Sequence, residues 1–149
     1  MNKEQAYLKV CHFCVYQERT HRQVRQKLTE LELWEDAIEE MIVKLCSENF
    51  LNEERFAKSY ASGKFRQLKW GRIKIKLGLK SEGLSEYCIK KGMAEINGED
   101  YIKTLKKLIE QKKNTIKETN IITKKLKIIN FLIGKGYEKD ICFDNYESL

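Results

Sequence analysis

Apolar residues recur at the spacing of an amphipathic helix along the first 50 residues of the chain. Within residues 3–16 they fall three or four positions apart, which places them on one face of a helix. Thr20 and Gln23 form a capping-box pair that predicts the start of a second helix, and Glu35 and Asp36 fit the first turn of a third. The apolar positions expected to be buried in these helices are Ala6, Val10, Phe13, Cys14, Val24, Leu28, Leu31, Ile38, Met41, Ile42 and Leu45.

The same arrangement of helix cap and apolar stripe begins again at Asn52. Asn52 is a suitable N-cap residue, the two glutamates after it fit the positive end of the helix dipole, and the helix is expected to end near Leu68. The apolar spacing of residues 28–38 recurs in residues 79–89, an offset of 51 residues. Periods of this size are typical of modules that stack in tandem.

Part of this spacing returns a further 53 residues along, which indicates a third module. Its helices are predicted to start near Glu99, near Thr119 and after Tyr137. The second of them is expected to bury a stripe made of Ile122, Leu126, Ile129 and Ile133. The chain is therefore predicted to be all-α, a tandem repeat of three-helix units. The predicted units are residues 1–50, 51–96 and 97–149.

One segment carries a conflicting signal. Residues 72–80 alternate apolar and basic side chains with a period of two, which by itself predicts a strand. A single strand in an otherwise helical chain has no neighbour for its backbone hydrogen bonds, and the repeat aligns this segment with the helix of residues 24–31. We therefore predict a helix here.

The composition supports one folded helical protein. The 149 residues are 42% hydrophobic and 34% charged, with no proline and eight glycines. Chains of mixed charge and this apolar content are not disordered, and sandwiches or barrels need more turn residues. No apolar run approaches the roughly 20 residues of a membrane span, and the amino-terminal residues do not resemble a signal peptide. A cytoplasmic protein without membrane contact is expected.

The charge of the chain points to an anionic partner. The formal net charge is +7, and it arises in the last two thirds of the sequence, since the first 50 residues are slightly acidic. The segment from Arg55 to Lys80 contains nine basic residues and no acidic one. A second basic run, from Lys103 to Lys127, is interrupted by Glu110 and Glu118.

The first basic run supplies the candidate binding residues. Arg55, Lys58, Arg66 and Lys69 fall within about 80° of one another on a helix, at ~100° per residue. They lie opposite an apolar side that contains Phe56, Ala57, Tyr60, Ala61 and Leu68. A solvated basic face is the ordinary explanation of such a run, but the lack of acidic neighbours within it makes a binding function slightly more favourable. The candidate residues are Arg55, Lys58, Lys64, Arg66, Lys69, Arg72, Lys74 and Lys76.

No motif in the sequence predicts an enzyme, a metal or a cofactor. Cys11 and Cys14 have the C-x-x-C spacing of a zinc or redox site, but no second ligand pair follows them and both fit an apolar helical stripe. Five scattered cysteines are a poor disulfide framework, so we expect reduced thiols that are dispensable for activity. Trp34 and Trp70 are interpreted as apolar clasps between units rather than platforms for stacked bases.

Three stretches of the chain resemble the central signature of the RecX family, whose members regulate the recombinase RecA. They are residues 51–57, with the sequence LNEERFA, residues 69–73 and residues 80–84. Thr20, Gln23 and Val24 are similar to the helix start of the family's first unit. The chain differs from the family pattern at Asn52 in place of Asp, at Gly71 without a following proline, and at Glu32 in place of Gly.

The resemblance implies an elongated, curved array of three-helix units, acting as a monomer without a cofactor. Such proteins lie in the groove of the RecA nucleoprotein filament and inhibit its ATPase, strand exchange and stimulation of LexA cleavage. The eight candidate residues would contact acidic RecA surface or DNA phosphate. Family members act in homologous recombination, DNA repair and the SOS response, and they are not enzymes.

Two alternatives remain open at the level of sequence. A direct DNA-binding protein of the helix-turn-helix kind would suit the charge, although the most basic helix, residues 72–80, offers only Arg72 as a preferred reader of guanine. A purely structural helical adaptor would explain the repeats but would leave the basic run without a purpose.

Overall fold

The computed structural model describes residues 2–147, and these residues form nine α-helices and no strand. The prediction of an all-α chain of three-helix units is confirmed. No helix of the described residues is long and apolar enough to cross a membrane. The helices are α1 (Lys3–Tyr16), α2 (His21–Glu30), α3 (Glu35–Ser47), α4 (Glu53–Leu68), α5 (Arg72–Ser81), α6 (Glu86–Met93), α7 (Gly98–Thr115), α8 (Ile121–Gly134) and α9 (Lys139–Tyr146).

Side-chain caps fix where most of these helices begin. Thr20 and Gln23 form the predicted reciprocal capping box at α2, and the Asn52 side chain accepts a hydrogen bond from the Arg55 amide at α4. In the third unit the prediction of a start near Thr119 is wrong by two residues. Asn120 caps α8 instead, because its side chain accepts from the amide of Thr123.

The alternating segment is helical, as predicted. In α5, Ile75 and Leu79 are fully buried, whereas Ile73 and Leu77 are exposed on the other side. The buried pair has the i, i+4 spacing of a helix face. Burial of that face favours a helix more strongly than the local period of two favours a strand.

The apolar core consists of two separate clusters. The first is built from α1, α2 and α3 with Leu51, and its centre is Val10, Leu28 and Leu45. The second is continuous through α4 to α9, so the last two thirds of the described chain share one core. Its fully buried members include Tyr101 and Tyr137, whose rings stack with centroids 5.1 Å apart.

Several residues expected in the core are exposed. In α8, only Ile129 of the predicted stripe is buried, while Ile122 is 71% and Leu126 is 48% exposed. The helix instead buries Ile128, Ile129 and Leu132, because the face towards α7 and α9 is rotated from the predicted one.

Two further burial predictions fail in the first two units. Leu68 is 45% exposed, and Phe65 fills the apolar side of α4 in its place. Trp34 is 85% exposed, which contradicts its predicted role as an apolar contact between units. Trp70 is half-buried and packs against the second core, which leaves part of its ring accessible.

The first two units meet through polar contacts. The Arg22 guanidinium donates to the carbonyl of Ser81 at 2.6 Å, at the carboxyl end of α5. The amide of His21 donates to the carboxylate of Glu53 at 3.0 Å, which places a negative charge at the amino end of α2. The contact therefore rests on charged groups at helix ends.

The second and third units, which share the second core, also meet through their backbones. The amides of Gly71 and Ile73, at the amino end of α5, donate to the carbonyls of Lys135 and Gly136 at 2.8 and 2.9 Å. A β-carbon at Gly71 would overlap the backbone of Gly136, and Gly136 itself has a φ of +103°. Glycine is required at both positions, and the two units are locked together at this point.

Candidate anion-binding surface

Arg55 is held by groups within the protein. Its Nε donates to the carboxylate of Glu18 in the first unit, and its Nη2 donates to the carbonyl of Asn49 at 3.0 Å and to that of Phe50 at 3.4 Å. The guanidinium thus holds the loop before α4 in place and stabilises the contact between the first two units. Glu18, the acidic partner of Arg55, lies outside the basic run, so the sequence of the run alone did not show that Arg55 is paired.

Arg72 is also engaged internally. Its Nη1 lies 3.2 Å from the carboxylate of Glu138, and its guanidinium lies 4.0 Å from the centre of the Tyr101 ring. The Tyr101 hydroxyl accepts from the Arg72 amide at 3.0 Å and donates to Glu138. Burial, followed by the hydrogen bond to Glu138, raises the pKa of Tyr101. This network joins the second unit to the third.

Lys58 pairs with Glu54 one helical turn earlier, at 3.2 Å. The hydrogen bond from Lys58 lowers the pKa of the Glu54 carboxyl. Both side chains are partly exposed, so the pair is a typical surface interaction of small energy. Lys58 can exchange this partner for an external anion at little cost.

The other five candidate residues have no carboxylate partner among the described residues. Arg66, Lys69, Lys74 and Lys76 are exposed, and Lys64 is half-buried. The ammonium of Lys69 donates only to the carbonyl of Arg66, at 2.6 Å. Lys69 follows α4 with a φ of +58°, which directs the chain into the junction with the third unit.

Two grooves extend the basic surface beyond the candidate residues. Lys69 lines a groove of about 170 Å³ with Lys103 and Lys107 of α7. Lys76 lines a groove of about 410 Å³ between α5 and α6, which Lys80, Lys90 and the single acidic residue Glu86 also border. The basic run from Arg55 to Lys80 supplies only one side of each groove, and residues distant in the chain supply the other side.

A further cluster lies where the second unit meets the third, and we call it the junction cluster. The ammonium groups of Lys64 and Lys74 lie 5.0 and 4.5 Å from the centre of the Trp70 ring. Those of Lys112 and Lys135 lie 4.1 and 5.7 Å from the centre of the Phe131 ring. Sequence reasoning missed Phe131 and Lys135, and it included Lys112 only as part of the second basic run. The members of the junction cluster are Lys64, Trp70, Lys74, Lys112, Phe131 and Lys135.

The two halves of the junction cluster are electrostatically coupled. Burial lowers the pKa of Lys135, and the charges of Lys74 and Lys112 lower it further. A β-carbon at Gly136 would overlap the side chain of Lys74, so the turn that carries Lys135 lies directly against α5. Like charges are thus held together at a fixed backbone contact.

Among the described residues, no group of three or more His, Cys, Asp or Glu side chains is placed to hold a metal ion. Cys11, Cys14 and Cys142 are buried, and Cys46 is exposed. Burial raises the pKa of Cys14 and of Cys142 to about 11, so both thiols stay protonated at neutral pH.

Fold and surface together define a basic helical-repeat protein. Comparison with family models identifies the kind: residues 6–45 match the first three-helix domain of RecX, and residues 52–93 match the second. The chain belongs to the RecX family.

Individual relatives agree with this assignment. The chain is 37% identical to the regulatory protein RecX of Clostridium perfringens strain SM101 over 126 residues, which are 83% of this chain and 58% of the relative. It is 28% identical to the regulatory protein RecX of Bacillus mycoides over 138 residues, 93% of this chain and 51% of that protein. The chain therefore spans little more than half the length of these curated relatives.

A solved structure is similar over nearly the whole chain. The crystal structure of RecX from Lactobacillus salivarius superimposes with a TM-score of 0.90 at 26% identity, covering 99% of this chain and 96% of that one. A second crystal structure, titled regulatory protein RecX, has a TM-score of 0.86 at 20% identity and shares the fold.

Proposed function

We propose that this chain binds the RecA nucleoprotein filament and inhibits its recombinase, ATPase and coprotease activities, without being an enzyme itself. Membership of the RecX family is the observation that carries this proposal. The unpaired cations of the second unit support it, because they can exchange water for acidic partner groups without first breaking internal ion pairs.

The proposed site of contact excludes two of the eight candidates. Arg55 and Arg72 are occupied by Glu18 and Glu138, and we assign them to holding the units together. The contact residues in this proposal are Lys58, Lys64, Arg66, Lys69, Lys74 and Lys76.

The biological setting is part of the same proposal. A monomer composed of the units 1–50, 51–96 and 97–149 would act in the cytoplasm, in homologous recombination, DNA repair and the SOS response. Occupation of the filament by the units would block the activities of RecA, and this effect should weaken with salt because exposed charges contribute to it.

The decisive experiment measures the DNA-dependent ATPase of RecA with increasing amounts of this protein. The variant Arg66→Glu/Lys69→Glu/Lys76→Glu reverses three exposed charges that have no carboxylate partner. We expect unchanged helicity and much weaker inhibition, since each reversal adds repulsion as well as removing an attraction. Arg55 is left intact, because its reversal would break the contacts to Glu18 and Asn49.

The matched control reverses three exposed lysines elsewhere, Lys9→Glu/Lys117→Glu/Lys139→Glu, which gives the same net charge. It should inhibit like the parent protein. Full inhibition by the folded first variant would refute the assigned surface, and absence of inhibition by the parent would refute the function. A sequence-dependent footprint on duplex DNA without RecA would favour the direct DNA-binding alternative.

A further inference from the structure

The junction cluster has two features that the proposed binding to RecA does not explain. Its four lysines have no ion pair with any described carboxylate, and they come from four separate segments of two units. Each pair of ammonium groups flanks an aromatic ring that is only half-buried. The surface thus presents positive charge and accessible ring area at the same place.

The protein maintains this concentration of charge through its backbone. The hydrogen bonds from Gly71 to Lys135 and from Ile73 to Gly136 fix the two sides of the junction cluster relative to each other. Lys112 lies in the last turn of α7 and Lys135 directly follows α8, so the negative ends of two helix dipoles offset part of the repulsion. A polyanion would relieve the rest.

We propose that the junction cluster binds a single-stranded nucleic acid, with phosphates contacting the four lysines and bases stacking on Trp70 and Phe131. This activity goes beyond the proposed function, because it requires no RecA. The ammonium groups that lie near the rings in the free protein would move onto the phosphates, which exposes the ring faces to the bases.

The chemistry of the junction cluster favours a strand over an acidic protein surface. The four lysines are flexible point charges that bind phosphates and carboxylates alike, so the two half-buried rings beside them decide between these partners. Every base presents a face that can stack on an aromatic ring, and such stacking combined with a basic groove is typical of binding to single strands without sequence preference. In a duplex, the base faces are already stacked on one another.

The test uses the intrinsic fluorescence of Trp70. The chain has two tryptophans, and Trp34 is 85% exposed in the first unit, so Trp34→Phe leaves Trp70 as the only tryptophan at little structural cost. Titration with a thymidine 20-mer should quench this fluorescence. No change at any oligonucleotide concentration would overturn the stacking on Trp70.

A second measurement tests the lysines. In the same background, Lys64→Gln/Lys74→Gln/Lys112→Gln/Lys135→Gln should bind the 20-mer at least tenfold more weakly. Because four phosphate contacts contribute about −2.8 to the slope of log affinity against log salt, at roughly −0.7 for each contact, the slope should become shallower by about that amount. Lys9→Gln/Lys91→Gln/Lys117→Gln/Lys139→Gln changes four exposed lysines outside the candidate surface. It is the charge-matched control and should keep most of the parent affinity and slope.

Duplex DNA and polyglutamate, which represent the competing partners, are tested in the same titration. Duplex DNA or polyglutamate of equal charge that bound as tightly as the 20-mer would overturn the assignment to single strands. Equal losses in the cluster and control variants would also overturn it, since the charge would then act without a defined site. These titrations contain no RecA, so they distinguish a failure of this inference from a failure of the proposed function.

Discussion

The hydroxyl of Tyr101 offers the sharpest test of how the second and third units are joined. Tyr101 is completely buried, and its hydroxyl accepts from the Arg72 amide and donates to the carboxylate of Glu138. Tyr101→Phe removes both hydrogen bonds and preserves the ring that stacks on Tyr137. The substitution therefore isolates the polar part of the contact.

The expected loss follows from the two groups left behind. A buried amide without a partner costs about 1–3 kcal/mol, and a hydrogen bond to a charged group contributes about 1.5–3 kcal/mol. Glu138 keeps Arg72 as a partner at 3.2 Å, which limits the second contribution. We expect Tyr101→Phe to lower the free energy of unfolding by about 3 kcal/mol, equivalent to roughly 6–12 °C in Tm for a chain of this size.

Tyr137→Phe is the matched control, because Tyr137 is equally buried and its hydroxyl donates a single hydrogen bond to the carbonyl of Lys69 at 2.8 Å. Its loss should be only about 1 kcal/mol. Both variants would be made in the Trp34→Phe background, so that the fluorescence of Trp70 reports urea unfolding at the junction. Equal losses in the two variants, or a loss below about 1 kcal/mol for Tyr101→Phe, would refute the reasoning.

Three further predictions concern stability and reactivity. Gly92→Ala should lower the free energy of unfolding, measured in urea, by about 1–3 kcal/mol, because the added β-carbon would lie 2.7 Å from the backbone of α4. Gly63 has open space around it, so Gly63→Ala should instead raise this free energy by up to about 1 kcal/mol. Burial raises the pKa values of Tyr101 and Tyr137, so above pH ~10 the unfolded chain releases protons that the folded chain keeps. The free energy of unfolding should therefore fall by up to about 1.4 kcal/mol per pH unit for each tyrosine. A flat profile of this free energy from pH 9 to 11 would contradict the prediction. The exposed thiol of Cys46 should react with a thiol reagent in the folded protein, and the buried thiols only after unfolding.

Local sequence signals were sufficient to predict where α2 and α4 begin. The caps at Thr20 and Asn52 involve atoms only three residues apart, so the chemistry that starts each helix is visible in the sequence. The helical conformation of residues 72–80 required the repeat as well, because the local period of two favoured a strand.

The partners of the charged residues could not be predicted in this way. Arg55 meets Glu18 across 37 positions of the chain and Arg72 meets Glu138 across 66, so the basic run looked unpaired when only its own neighbours were considered. The exposure of Ile122 has the same origin, since α8 carries two apolar faces and only the packing of α7 and α9 selects between them. The junction cluster was hidden because a tertiary contact creates it.

The two separate cores also set an order for folding during synthesis. The first core is complete once Leu51 has left the ribosome, so the first unit can fold early. The amino end of α5 has to wait for the carbonyls of Lys135 and Gly136, which are made 64 residues after Gly71. At about 5–20 residues per second, this delay is roughly 3–13 s. Throughout that interval the amides of Gly71 and Ile73 lack these two partners, so the nascent second unit can reach its final form only after the third unit has been made.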